Sequence, residues 1–347
     1  MTRISVVIPV KNSQRTIGAA LAGIHAQTVA ADIEVILVGD VCDHTWDALT
    51  LTGDADSARR YELRVIEVDA DTGGRDSNVK RNVGLEAATG DVLCLTDSDM
   101  VLPPDWLATG LARLADGNDC AGGPMISVHK DFWGRYVDDN PVASKTPRMQ
   151  RDYVVDRATI GRRGRKLPIT ANVLFTRDVY TTVGGLDPSF VHSYEDYEFF
   201  QRIVDAGFRV LCTVSLAAEH FHRQGWRALV REYHRSGRGC ADFVGKHPHS
   251  PFSRDRRLQA EVVATAVVFV PVVAAADPIA LLAPAAAVPA LAAYTLAKAR
   301  TADAVAFPAV TFVLGLSFTT GLLRGLRGWR AHPPVRPQEE HSWSPAS

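Results

Sequence analysis

The sequence has no C-x-x-C pair and no zinc-ligand spacing. Its five cysteines (Cys42, Cys94, Cys120, Cys212, Cys240) are scattered and odd in number. A disulfide scaffold and a structural zinc site are therefore disfavoured, and the thiols read as buried residues of a reducing compartment. An excess of either charge is also missing, since 38 basic side chains face 39 acidic ones over 347 residues. Nucleic-acid-binding faces are clearly basic, so no nucleic-acid partner is expected. Disorder is excluded as well, because 46% of the residues are hydrophobic and only 22% charged. No G-x-G-x-x-G follows the first apolar run, where Pro9-Val10-Lys11-Asn12 stands instead, which disfavours a dinucleotide-dependent oxidoreductase. The nearest approach to a phosphate loop, Gly239 to Gly245-Lys246, lacks the Ser/Thr and follows no strand. Met1–Pro9 has no charged start before a long apolar core, and reads as a first strand and not as a signal peptide.

What is present begins with alternation. Ile4–Pro9 is an apolar run ending in proline, as expected of a strand buried on both faces, and Ile33–Val38, Leu63–Val68 and Val92–Leu95 read as three further buried strands. Thr16–Ala26 and Asn78–Ala88 carry helical spacing, and Val210–Ser215 reads as a later strand. Strand–helix alternation of this kind predicts an α/β fold with a doubly wound, mostly parallel sheet that binds ligands beyond the strand C-termini.

The C-terminal third differs. From Val262 to Ala297 the only charged residue is Asp277, and a second uncharged run covers Ala304–Leu323. A bilayer span takes about 20 apolar residues, so Pro278–Ala297 and Ala304–Leu323 are long enough and Val262–Ala276 is marginal. Arg254, Arg256 and Arg257 precede these runs, Lys298 and Arg300 separate them, and Arg324, Arg327 and Arg330 follow. Such flanks suit juxtamembrane positions. A buried alanine-rich bundle is the competing reading. The expected organisation is a catalytic domain over 1–250, a hydrophobic helical membrane-associated region over 258–330 and a disordered tail over 331–347.

The chemistry concentrates at strand ends. The fourth strand delivers Asp97-Ser98-Asp99, two carboxylates that can converge on one hard cation shared with substrate phosphates. Asp40 ends the second strand, and Arg81-Asn82-Val83-Gly84 lies on the helix before the fourth. Gly184-Gly185-Leu186-Asp187 precedes Ser193-Tyr194-Glu195-Asp196, which opens a helix with Phe199, Phe200, Ile203 and Val204 on its apolar face.

Together with Val6-Val7-Ile8-Pro9 and Asn172, these motifs resemble the family 2 inverting glycosyltransferases of the GT-A fold, over about residues 3–240. The resemblance implies roles. Pro9, Val10 and Asn12 would line the base and ribose of a nucleotide-sugar donor (UDP-, GDP- or dTDP-linked), and Asp40 would accept a hydrogen bond from the base. Arg81 would lie at the diphosphate. Asp97 and Ser98 would sit at the ribose and metal, and Asp99 would ligate Mn2+ or Mg2+ directly, with His220 and His222 as further candidate ligands. Asp196 would be the general base, with Glu195 and Asn172 on the acceptor side.

Blander readings stand beside these. Ser193-x-x-Asp196 is also a capping-box pattern, His220 and His222 also fit structural histidines, and Asp40 also fits a turn. The family pattern Asp-Asp-Gly-Ser after the second strand is here Gly39-Asp40-Val41-Cys42, so only one of its two acids survives. The Q-x-x-R-W motif of processive synthases is absent, which favours a single transfer. The expected enzyme is a metal-dependent transferase at the cytoplasmic side of the cell membrane, acting on a lipid-linked or cell-envelope glycan. Arg162, Arg163, Arg165 and Lys166 form a basic loop that suits an anionic headgroup or an ordinary solvated turn equally. A nucleotidyltransferase-like enzyme and an inactive scaffold of the same fold are the alternatives.

Overall fold

The computed structural model describes residues 2–51, 60–69, 76–140, 151–161, 167–256, 293, 294, 297 and 302–331. The four expected strands form β1 (Arg3–Pro9), β2 (Asp32–Asp40), β3 (Glu62–Val68) and β4 (Val92–Thr96). They pair in parallel in the order β3-β2-β1-β4. Beyond β4 the sheet continues through β9 (Asn172–Thr176), β6 (Cys120–Gly122), β10 (Val210–Cys212) and β8 (Tyr153–Val155). β9 is antiparallel to both neighbours, and β8 is antiparallel to β10.

Alternation along β1 sends Ile4, Val6 and Ile8 to one face and Val7 to the other, and each face carries its own core. The first face is covered by α1 (Ile17–His25), α2 (Thr45–Leu51) and α4 (Trp106–Ala115), through Ile17, Trp46 and Trp106 among others. On the second face, α3 (Asp76–Ala87), α6 (Arg177–Val183) and α7 (Glu195–Asp205) pack through Leu85, Val179 and Phe199. A Cβ at Gly84 would collide with the Val7 side chain, so glycine there lets α3 lie directly on β1. The sheet is thus doubly wound and mostly parallel, as expected.

A second sheet sits above the C-terminal ends of the strands. It pairs β5 (Met100–Val101), β11 (Ala218–His220) and β7 (Met125–Ser127). The segment 213–215 is not strand, contrary to the sequence expectation for Val210–Ser215. Thr213 accepts a hydrogen bond from the Ser215 N–H at 3.2 Å and starts a 3-10 turn over Val214–Leu216, a case of a side chain competing with the ladder.

The chain completes the fold with α5 (Phe132–Asp139), α8 (Trp226–Lys246) and α9 (Phe307–Ala331). α8 and α9 run side by side in parallel: Ser317 Oγ donates to Val230 O at 2.8 Å, and Gly325 lies against Arg238 and Ala241. α9 and the 3-10 turn Ala302–Ala306 before it cover the expected span Ala304–Leu323, and the segment Ala304–Gly328 is long and apolar enough to cross a membrane by length and composition. Pro278–Ala297 and Val262–Ala276, apart from three isolated positions, lie outside the described residues, as do Arg162–Lys166 and the tail after 331.

Candidate active site

The strand ends β1 and β2 build one end of the site. Lys80, buried on α3, donates to Val10 O at 2.9 Å and pairs with Asp40 Oδ1 at 3.1 Å. Asp40 is therefore held at the tip of β2 by a buried cation. Val10 turns its side chain into the core, so only its backbone is available to a ligand. Asn12 adopts a left-handed backbone, φ 53°, and its N–H donates to Asp43 Oδ1 at 2.8 Å. Asp43 also receives the Thr45 N–H at 2.8 Å and the Thr45 hydroxyl at 2.5 Å. Burial raises the Asp43 pKa, but these donors and nearby Lys80 outweigh it and hold the carboxyl below its ordinary value. Asp43, three residues beyond Asp40, is thereby aimed back at the β1 loop. The sequence did not single it out.

That loop is tied to the carboxylate motif. The Ser13 N–H donates to Thr45 Oγ1 at 2.8 Å, and Ser13 Oγ meets Ser98 Oγ at 2.7 Å. Beside Ser98, Asp97 Oδ1 accepts from Arg81 Nη2 at 2.6 Å. Arg81 is buried, and its Nε and Nη1 make no hydrogen bond among the described residues. Burial alone would lower the guanidinium pKa, but Asp97, Glu195 and Asp196 raise it, so the cation persists with donors unspent. Asn82, next in the same motif, clamps the glycine motif: its Nδ2 donates to Leu186 O at 2.8 Å and its Oδ1 accepts from the Leu186 N–H at 2.7 Å.

The small sheet brings the histidines to Asp99. His220 pairs with Met100 in the β5–β11 register, and the Phe221 N–H donates to Asp99 O at 2.9 Å. His220 Nε2 then stands 3.3 Å from Asp99 Oδ1, and its Nδ1 lies 2.8 Å from His222 Nδ1. Burial pushes the Asp99 pKa up, yet His220 and Arg223 bring it below the ordinary carboxylate value. Among the described residues no three His, Cys, Asp or Glu side chains form a preassembled metal site. The Asp99–His220 pair does offer one carboxylate and one imidazole, a donor set that Mn2+ or Mg2+ accepts when phosphate oxygens fill the remaining positions.

Asp97, Asp99 and Arg81 open onto a cavity of about 350 Å³. Its far wall is built by Tyr136 and Val137 of α5 and by Leu229, Glu232 and Tyr233 of α8, with His192, Ser193 and Glu195 at the entrance to α7. The α5 and α8 residues had no signal in the sequence, since only tertiary packing brings those helices to the strand tips. His192 is pulled down to about 4, chiefly by burial and then by Arg238, Arg235 and His234. Glu195 lines the cavity, with Oε1 3.9 Å from Arg81 Nη1. Asp196 follows it, and its Oδ1 accepts the Tyr197 N–H at 2.7 Å. The capping-box alternative does not form, because the helix N-cap is Tyr194, held left-handed at φ 74° with no side-chain cap. Asn172 is not on the acceptor side. It is fully buried, its Nδ2 donates to Leu216 O at 2.9 Å, and its Oδ1 accepts from Trp106 Nε1 at 3.0 Å. Its amide is spent on joining β9 to the core.

A doubly wound α/β sheet with paired carboxylates after β4 and a buried arginine from α3 beside them places a candidate ligand site beyond the strand C-termini. The family model described as "Glycosyltransferase like family 2" matches residues 2–239, and the chain belongs to that family. It is a glycosyltransferase with the GT-A fold. It is 24% identical over 243 residues to "Glycosyltransferase AglE" of Haloferax volcanii, covering 68% of this chain and 72% of that protein. The "Pre-mycofactocin glycosyltransferase" of Mycobacterium tuberculosis is 25% identical over 178 residues, 48% of this chain and only 35% of that protein. Among solved structures, the mannosyltransferase PcManGT from Pyrobaculum calidifontis, in complex with GDP-Man and Mn2+, superposes with TM-score 0.61 at 19% identity, covering 93% of this chain and 87% of that one. S. aureus TarS 1–349 in complex with UDP gives TM-score 0.52 at 16% identity, covering 95% and 91%. Both likenesses concern the fold.

Proposed function

We propose that this glycosyltransferase is metal-dependent and inverting, and that it moves a single sugar from a nucleotide-sugar donor to a lipid-linked or cell-envelope glycan at the cytoplasmic side of the membrane. The observation that carries this reading is the convergence on one cavity of Arg81 from α3, Asp97 and Asp99 from the end of β4, and Glu195 from the start of α7. The nucleotide sugars in complex with the neighbouring folds, GDP-Man and UDP-GlcNAc, support a nucleotide-sugar donor, and the Mn2+ present with GDP-Man supports a divalent ion.

Asp99 and His220 would hold the ion, which supplies Lewis-acid stabilisation of negative charge on the departing diphosphate. Arg81 directs its unspent donors at the same charge. Asp40, pinned by Lys80, accepts an N–H of the base, and Pro9 and Asn12 bound the ribose. On the opposite side, Asp196 takes the proton of the acceptor hydroxyl. That oxygen forms the new bond to the anomeric carbon while the bond from that carbon to the diphosphate breaks, so configuration inverts. Glu195 faces the same cavity and is the second candidate for the proton.

A panel of UDP-, GDP- and dTDP-sugars tests this, read as donor hydrolysis in Mn2+ and in EDTA. One nucleotide class should be turned over in Mn2+ and none in EDTA. Hydrolysis of no donor, or equal turnover in EDTA, would contradict the reading.

A further inference from the structure

We propose that the α8–α9 pair is an in-plane docking surface for an anionic lipid bilayer, with α9 lying lengthwise in the interface and a row of α8 arginines against the lipid phosphates. The argument begins with the two sides of α9. Ser317, Gly321 and Gly325 meet α8, and a Cβ at Gly321 would collide with His234 O, so the two backbones touch. The opposite side exposes Phe312 (67%), Leu316 (42%) and Leu323 (39%). These recur at four and seven residues, which puts them on one face of the helix.

α9 does not cross a bilayer in this arrangement. It is seamed along its length to α8, which carries Arg227, Arg231, Glu232, Arg235, Arg238 and Asp242. Each such charge at a bilayer centre costs about 2.5–3.5 kcal/mol even on the mildest scale. Taking α9 through the membrane would drag those charges in or tear the seam open.

The arginines supply the complement to the apolar face. Val230, His234 and Gly237 face α9, whereas Glu232 and Ser236 face the cavity. Arg227, Arg231, Arg235 and Arg238 fall on the exposed quarter of α8 between those two directions. None of the four ion-pairs with a carboxylate among the described residues. Interfacial helices sink about 5–10 Å, and packed helix axes lie about 8–10 Å apart. An immersed α9 therefore puts α8 at the level of the headgroups. Arg324 and Arg327, exposed at the end of α9, extend the same basic border. Arg235 belongs both to this row and to the cavity wall, so docking sets the acceptor side of the cavity beside the membrane surface. The inference rests on the membrane-borne acceptor of the proposed function, but its test does not use turnover.

Nitroxide labels at Phe312→Cys, Leu316→Cys and Leu323→Cys, in full-length protein carrying Cys42→Ser, report depth on phosphatidylcholine–phosphatidylglycerol vesicles. All three should lie at one shallow depth. Arg227→Gln with Arg231→Gln should weaken binding to these vesicles about thirtyfold, at about 1 kcal/mol per basic residue, with little change on pure phosphatidylcholine. Depth that grows by about 1.5 Å per residue from 312 to 323 would show a span and overturn the proposal. Labels that stay in water, or self-associate, on bound protein would overturn it while keeping membrane attachment. Full-length protein that ignores vesicles altogether would remove the membrane reading too.

Discussion

The donor half of the site and its acceptor half are built by different means. The donor half comes from β1, β2, β4 and α3, close in sequence and tied by ion pairs such as Arg81–Asp97 and Lys80–Asp40. The acceptor half comes from α5, α7 and α8, and it leans on α9: Tyr136 Oη lies 3.1 Å from Thr311 Oγ1, and Phe307 packs edge-on against the Tyr136 ring. One half is a set of strand tips that any variant of the fold must present. The other is a helical wall whose position depends on an apolar, partly exposed helix. Nucleotide binding should therefore answer to the first half, and rate and acceptor choice to the second.

The largest effect that tests this division is at Asp196. Asp196→Asn should lower the transfer rate by about 10²–10⁴-fold while nucleotide affinity by calorimetry stays the same. Glu195→Gln should cost less than tenfold. The reverse ranking would move the base to Glu195 and leave Asp196 as the residue that holds the Tyr197 N–H.

Acid sensitivity comes next, and it belongs to the sheet that carries the donor half, at the end away from the site. Glu34, fully buried between β1 and β3, is pushed up by burial but held down to about 2 by Ser5, Thr89 and Arg64. A folded pKa below the unfolded value stabilises the protein above pH about 5 and loses that contribution as pH falls toward 2. The contribution is about 3 kcal/mol, so Glu34→Gln should flatten the acid limb of a denaturation curve followed by circular dichroism.

Arg81→Met should follow, weakening nucleotide diphosphate binding about 10–100-fold by losing a charged hydrogen-bond partner of about 1.5–3 kcal/mol. The smallest effect is at Thr45, where Thr45→Val breaks the path from Asp43 through Ser13 to Ser98. Donor KM should rise a few-fold with kcat unchanged, as expected for about 1 kcal/mol of positioning. A fall in kcat instead would couple this loop to the acceptor half.

The same division explains what the sequence made legible. β1, β2, β4 and Asp97-Ser98-Asp99 were readable because burial on both faces and a strand-tip position leave a local signature, whereas β3, expected to be buried, is the half-exposed edge of the sheet, with Val65 47% exposed. The helix from Glu195 was readable from Phe199, Phe200, Ile203 and Val204, all fully buried. His220 stood out as part of a His-Phe-His pattern, but its distance to Asp99 depends on the pairing of β5 with β11, which no local pattern encodes. Asn172 was assigned to the acceptor side through the family resemblance, and its burial against Trp106, 66 positions away, leaves no local signal. Asp43 escaped because its bond to the Asn12 N–H joins two loops 31 positions apart, which no local pattern encodes. Tyr136 and Tyr233 could not have been found, since they reach the cavity only through the packing of α5, α8 and α9.

The central claim is that Asp99 and His220, with Arg81, form a metal-assisted diphosphate site at the tip of β4. Calorimetric titration of UDP and GDP into the full-length protein, in Mn2+ and then in EDTA, tests it most directly. The account predicts that one nucleotide binds in Mn2+, that EDTA weakens it at least tenfold, and that Asp99→Asn in Mn2+ matches the EDTA value. Equal affinity in Mn2+ and EDTA, or an unchanged affinity in Asp99→Asn, would contradict it.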